Sequence, residues 1–156
     1  MKIIAHRANL DGPNINTENT PSQIDNAIEL GFDVEVDVWY NKLTETLHLG
    51  HDEPQYQITW YWLASRKDNL WIHCKNVEAL FEFTKGVCSG YNYFWHQEDY
   101  FTLTSKNKIW TYPGHPYTKN SVIVMPEIYT EKERLKEYIL YDCHGVCTDY
   151  PQLIKS

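Results

Sequence analysis

Residues 33–38 read Asp33-Val34-Glu35-Val36-Asp37-Val38, and their alternation decides the fold. At a period of two, Val34, Val36 and Val38 take one face of a strand while Glu35 and Asp37 share the other. Strands of a parallel sheet covered on both sides ordinarily read as continuous apolar runs, so a carboxylate row pointing into the protein is costly unless something pairs with it. Two readings follow from the pattern itself. Either a hard divalent cation such as Mg²⁺ or Ca²⁺ sits between the two carboxylates, or the strand is half exposed and its acidic face is solvated.

Working outward, seven more short apolar runs have the length of buried strands: Lys2 to His6, Leu70 to Cys74, Tyr91 to Trp95, Phe101 to Thr104, Ile109 to Tyr112, Ser121 to Met125 and Gly145 to Thr148, beside the run Phe32 to Trp39. Thr20 and Pro21 open a helix that carries Ile24, Ala27 and Ile28 at helical spacing and closes at Gly31. Asn76 to Lys85 predicts a second helix and Tyr129 to Tyr141 a third, richly charged one. Strand, helix, strand repeats imply a parallel α/β sheet. The expected architecture is an abbreviated (β/α)₈ TIM-type barrel, because 156 residues fall short of the roughly 250 of a full one. Several crossover helices must then be shortened or replaced by loops. Between His96 and Ser121 no ordinary crossover fits, unless Phe101 to Tyr112 forms a hairpin and the barrel is incomplete. One domain over residues 1–156 is expected.

The net charge of −7 and the lack of any Lys/Arg run give no electrostatic footprint for nucleic acid or an anionic membrane. A phosphate site would have to gather positive charge locally. The first apolar run turns polar too soon for a leader or a membrane span, so no stable membrane insertion and a cytoplasmic location are expected. Cys74, Cys88, Cys143 and Cys147 are scattered and read as reduced, packing thiols. Cys143-His144-Gly145-Val146-Cys147 lacks the second half-site that a zinc knuckle needs.

Four further motifs surround the acidic strand. His6-Arg7 ends the first run, Glu18-Asn19-Thr20-Pro21 opens the first helix, Gly50-His51-Asp52 follows a hairpin from Leu43 to Leu49, and Lys75 closes the Leu70 run. Together the pattern H-R, E-N-T-P, E-x-D and H-D resembles the glycerophosphodiester phosphodiesterase family of PLC-like phosphodiesterase barrels. The resemblance is close from Ile3 to Asp52 and returns at Lys75 and at Thr148-Asp149-Tyr150-Pro151. It implies a site at the C-terminal ends of the strands, Glu35 and Asp37 as metal ligands, His6 and His51 as an acid/base pair, Arg7 and Lys75 on phosphoryl oxygens, and Glu18 and Asn19 shaping the site. Imidazole suits acid/base work because it titrates near neutrality, and the Arg fork matches two phosphate oxygens. The implied activity is divalent-metal-dependent cleavage of a small or lipid-derived phosphodiester. A phospholyase releasing a cyclic phosphate and a non-catalytic phospho-ligand-binding barrel are the alternatives.

Two departures stand out. The family's third acidic ligand, two residues before the lysine, is His73 here. A nitrogen donor favours Mn²⁺ or Zn²⁺ over Mg²⁺ or Ca²⁺, unless Glu127 completes the shell instead. The stretch from Asp52 to Leu70 is too short for the family's usual insertion, which predicts an open site rimmed by some of Trp60, Tyr61, Trp62, Trp95, His96, Trp110 and Tyr112.

Overall fold

The computed structural model describes residues 1–155. Its strands are β1 (Lys2–Ala5), β2 (Asp33–Asn41), β3 (Thr46–Leu49), β4 (Tyr56–Ile58), β5 (Leu70–Cys74), β6 (Asn92–Phe94), β7 (Phe101–Leu103), β8 (Ile109–Thr111), β9 (Ser121–Val124) and β10 (Gly145–Thr148). The α-helices are α1 (Pro21–Glu29), α2 (Trp60–Ala64), α3 (Val77–Thr84) and α4 (Pro151–Lys155). The first three begin where the sequence supplies an N-terminal partner. Thr20 accepts the Gln23 N–H ahead of Pro21, and Asn76 accepts the Ala79 N–H. Asn76 does more: its Oδ1 also takes the Tyr40 N–H at 3.2 Å and its Nδ2 reaches the Tyr40 carbonyl at 2.9 Å, pinning α3 to the end of β2.

One ten-stranded mixed sheet organises the chain. Seven strands run parallel in the order β6-β5-β2-β1-β10-β9-β8, and β2 is its longest member. Its first residues pair with β1, Val34–Val38 pair with β5, and beyond Val38 it turns to an antiparallel ladder with β3, which continues to β4. At the other end β7 lies antiparallel on β8, the hairpin form foreseen for Phe101 to Tyr112.

No ladder joins β6 to β8 among the described residues, so hydrogen bonding does not close the sheet into a barrel. The two strands nevertheless approach through side chains. Phe94 of β6 and Trp110 of β8 have ring centroids 4.6 Å apart, and Trp71 of β5 lies 6.0 Å from Trp110. With Ile4, Val122, Val124 and Cys147 these rings form one apolar cluster. Trp110, expected as a possible rim residue, is 4% exposed and belongs to this core. The opposite faces of the strands pack outward: Val34, Val36 and Val38 lie against Ile24 and Ala27 of α1, Leu63 of α2, and Ala79 and Phe83 of α3. Fully burying each such side chain stabilises by about 1.5–3 kcal/mol for the larger ones.

The Tyr129 to Tyr141 segment departs from its predicted α-helix. It follows a 3₁₀ turn at Pro126–Ile128 and forms a 3₁₀ stretch over Lys132–Leu140. Only Leu135 of that stretch is buried, so no apolar face imposes the 3.6-residue period, and the Arg134–Glu137 pair at 3.0 Å fits a three-residue repeat. β4 and α2 were not anticipated. No helix is long and apolar enough to cross a membrane among the described residues. All four cysteines are buried and unbridged, and none joins a metal-ligating group among the described residues.

Candidate active site

The charged face of β2 points where its alternation requires. Asp33 is buried and paired, taking Lys2 Nζ at 3.0 Å and the Trp71 indole N–H at 3.1 Å. One and two pleats further on, Glu35 and Asp37 are 2% and 0% exposed. β5 runs beside β2 with Asp37 opposite His73, so parallel register alone brings imidazole and carboxylates together. His73 Nδ1 stands 3.1 Å from Asp37 Oδ1 and 3.6 Å from Glu35 Oε1. Donor atoms of the three residues all lie within 4.8 Å of one another. A Glu, Asp and His cluster of this kind could hold a metal ion.

The chemistry of the donors fits one. His73 Nε2 lies 2.7 Å from the His96 carbonyl oxygen, which can only accept, so Nε2 carries a proton and Nδ1 faces the carboxylates. A ligating histidine ordinarily donates its other N–H to such a carbonyl. Asp37 Oδ1 is buried and meets His73 Nδ1 and Lys75 Nζ only as ion pairs, without a hydrogen bond of good geometry, and a metal ion would satisfy it as an acceptor. Without a cation, the cluster is balanced by its own positive groups. Burial opposes charge on His73, but the Asp37 and Glu35 carboxylates outweigh it and hold the imidazole up at about 9. Burial likewise opposes ionisation of Asp37, yet His73, Lys75 and Arg7 drive it well below the usual carboxylate range.

Asn19 fixes Asp37 from the other side. Buried at φ 57, it donates Nδ2 to Asp37 Oδ2 at 2.9 Å and accepts the Asp37 N–H at 3.0 Å. The turn after β1 is equally constrained, with Arg7 at φ 50 and Ala8 at φ 65 in the left-handed region. That turn aims the Arg7 N–H at Glu35 Oε2, 3.1 Å away. The guanidinium lies 3.5 Å from both Glu18 and Asp37, and Lys75 Nζ is 3.5 Å from Asp37 Oδ1. Arg7 Nε is buried without a hydrogen bond. Two cations are thus held at the edge of the carboxylate cluster with donors to spare.

His6 stands at the same end of the sheet and meets Asp149, at the end of β10, through Nδ1 at 2.8 Å. Asn9 Nδ2 reaches the same Asp149 oxygen at 2.8 Å, and Glu127 Oε1 accepts the Asp149 N–H at 2.8 Å. Burial lowers the His6 imidazolium, but the Asp149 bond and the charges of Glu35 and Asp149 more than compensate and raise it. Asp149 is lowered in turn, because His6 and Asn9 outweigh its burial.

The structure therefore unites Arg7, Glu18, Asn19, Glu35, Asp37, His73 and Lys75 in one contact network, with His6 paired to Asp149 at the same end of the sheet. His51 stands apart on the loop after β3, its Nδ1 on the exposed Asp52 at 2.7 Å, with the preceding Gly50 carbonyl held by the Trp39 indole N–H. Glu127 is directed to the Asp149 backbone; the three-residue ligating group contains His73 and not Glu127. Asp149 and Asn9 were not assigned roles from sequence, although Thr148-Asp149 at a strand end was a signal for the first. Around the cluster, His96 lies 6.4 Å from His73 and 5.6 Å from Tyr112 between ring centroids, whereas Trp60 packs against Phe83 in the outer core.

No protein-family model and no curated protein matches the sequence. Among solved structures, a glycerophosphodiester phosphodiesterase from Agrobacterium tumefaciens is similar at a TM-score of 0.58, with 17% sequence identity, covering 98% of this chain and 97% of that one. At that identity the likeness is one of fold.

Proposed function

We propose that this chain is a divalent-metal-dependent phosphodiesterase, a hydrolase that cleaves a small or lipid-derived phosphodiester within a single, incompletely hydrogen-bonded (β/α)-barrel domain. The observation that carries the reading is the convergence of Glu35, Asp37 and His73 on one point, with an Asp37 oxygen that makes no hydrogen bond and two cationic side chains, Arg7 and Lys75, at its edge with donors to spare. The likeness in fold to a glycerophosphodiester phosphodiesterase supports it.

Glu35, Asp37 and His73 would hold the ion. When bound, it would supply Lewis-acid stabilisation of charge on a phosphoryl oxygen. Arg7 and Lys75 bind the remaining non-bridging oxygens, and Asn19 keeps Asp37 from rotating away from the cluster. Glu18 holds the Arg7 fork in place. His6 has Nδ1 committed to Asp149, which leaves Nε2 to carry the reaction's proton. Its raised pKa fits the donor that protonates the leaving alcohol. The resemblance assigns the complementary base, which takes a proton from the attacking water, to His51, half-exposed on the loop after β3. The oxygen of that water bonds to phosphorus as the P–O bond to the alcohol breaks.

A nitrogen ligand favours Mn²⁺ or Zn²⁺ over Mg²⁺ or Ca²⁺. Phosphorus NMR of glycerophosphodiesters incubated with metal-stripped protein, with and without each ion, tests the proposal. Metal-dependent appearance of a monoester, lost in His6→Ala, is expected. A cyclic phosphate as first product would identify a phospholyase, and no cleavage with any ion would leave only phospho-ligand binding.

A further inference from the structure

The acidic face of β2 continues beyond the metal cluster. Glu35, Asp37 and Trp39 follow one another at a period of two, so the strand that carries two of the ligands presents an indole next. Trp39 is half-buried, and its Nε1–H donates to the Gly50 carbonyl at 2.6 Å. An indole nitrogen can only donate, and here its proton goes to the residue immediately before His51.

Gly50 is where β3 ends and the loop of His51 begins. Both of its backbone groups are tied to β2, the N–H to the Asp37 carbonyl at 3.2 Å and the carbonyl to Trp39. Its φ is 144, and a Cβ there would collide with the Glu53 carbonyl oxygen, so the position is reserved for glycine. The loop folds back until the Gln55 N–H meets the Leu49 carbonyl at 2.9 Å. Between those ends it is lightly held. His51 bonds its neighbour Asp52, and Glu53 and Pro54 are exposed. Among the described residues, Trp39 is the one side chain outside the loop that hydrogen-bonds to residues 50–54. The His51 side chain makes no hydrogen bond or ion pair with Glu35, Asp37 or His73 among the described residues, so its placement is left to the backbone, and Gly50 ties that backbone to β2.

We propose that Trp39 is a positioning residue for the reaction, whose indole N–H locks the loop of His51 onto the strand that carries Glu35 and Asp37. The inference rests on the phosphodiesterase reading and on His51 as its base. A buried carbonyl that loses its donor is costly to leave unpaired and moves to find another, and a catalytic group misplaced by about 1 Å loses roughly 10²-fold in rate.

Trp39→Phe keeps an aromatic ring and removes the N–H. With saturating Mn²⁺ and bis(p-nitrophenyl) phosphate, where water has to be the nucleophile, kcat should fall roughly ten- to a hundredfold while KM and Mn²⁺ affinity stay within about twofold. The deciding measurement is the same substitution made in His51→Ala. A residue that acts through His51 then has nothing left to act on, and turnover should change by less than about twofold. A full loss in that background, or no loss in the wild-type background, overturns the proposal. If His51→Ala costs nothing, Trp39 has no base to position and the proposal fails. Should the wild-type protein cleave nothing, the phosphodiesterase reading is at fault instead, and the tether is decided by hydrogen exchange. The Gly50 and Gln55 amides should exchange about tenfold faster or more in Trp39→Phe, with those of β1 unchanged. Equal exchange in the two proteins, or an acceleration shared by β1, removes the tether.

Discussion

Replacing Asp149 by Asn removes one charge from the site and almost nothing else. A single oxygen of Asp149, 3% exposed in its side chain, accepts both His6 Nδ1 and Asn9 Nδ2 at 2.8 Å. An asparagine carbonyl can accept the same two bonds, and the Asp149 backbone N–H keeps its Glu127 partner. The loss is therefore the charge assistance on two bonds, from about 1.5–3 kcal/mol to about 0.5–1.5 each, or about 2–3 kcal/mol in all. The sign of its pH dependence is fixed by the two shifts. His6 is raised from 6.5, so its share is complete below 6.5 and disappears as pH rises through the folded value; Asp149 is lowered from 3.8, so its share appears above 3.8 and is lost below the folded value. The difference in unfolding free energy between wild type and Asp149→Asn should be largest between those two ordinary values. Without the carboxylate, burial dominates and the His6 pKa should fall. Turnover should fall roughly 10²- to 10⁴-fold, the range for a misprotonated acid/base histidine. Urea unfolding across pH, histidine NMR titration and turnover together provide the assay. An unchanged His6 titration would refute the reasoning, whatever the rate.

Three other outcomes follow from the same geometry. Metal-free protein should lose stability as pH rises from 6.5 towards 9, because His73 is raised to about 9 by Asp37 and Glu35, and should lose it again in strong acid as the depressed Asp37 protonates; the alkaline loss is at most about 3 kcal/mol, read by thermal unfolding. Asn19→Ala removes both hydrogen bonds that Asn19 makes to Asp37 and places Ala at φ 57, which should cost about 2–5 kcal/mol in urea unfolding and weaken metal binding. His73→Glu should turn ion preference towards Mg²⁺ and Ca²⁺, measured by competition between Mn²⁺ and Ca²⁺.

The parts of the fold that follow from period and punctuation were legible in the sequence. The β2 alternation, the cap at Thr20, the helix within Asn76 to Lys85, and the bounds of β5 and β10 stand as the pattern predicts, because each is set by neighbours in the chain. Sheet closure was not legible: whether β6 and β8 meet by backbone or by ring contact depends on the Phe94 and Trp110 side chains, which are distant in sequence. The Lys132–Leu140 stretch misled because charged residues at helical spacing carry no information about period without a buried face. At the site, His73 beside Asp37 is a matter of parallel register, and the His6–Asp149 pair joins the two ends of the described chain. Neither spacing nor composition reports such pairs.

The central claim, that Glu35, Asp37 and His73 form a metal centre, is tested most directly by calorimetric titration of metal-stripped protein with Mg²⁺, Ca²⁺, Mn²⁺ and Zn²⁺, alongside Glu35→Ala, Asp37→Ala. The account predicts one ion per chain, tighter for Mn²⁺ or Zn²⁺ than for Mg²⁺ or Ca²⁺, with no binding in the double variant. Binding that survives in the variant, or no binding of any of the four ions by the wild-type protein, would contradict it.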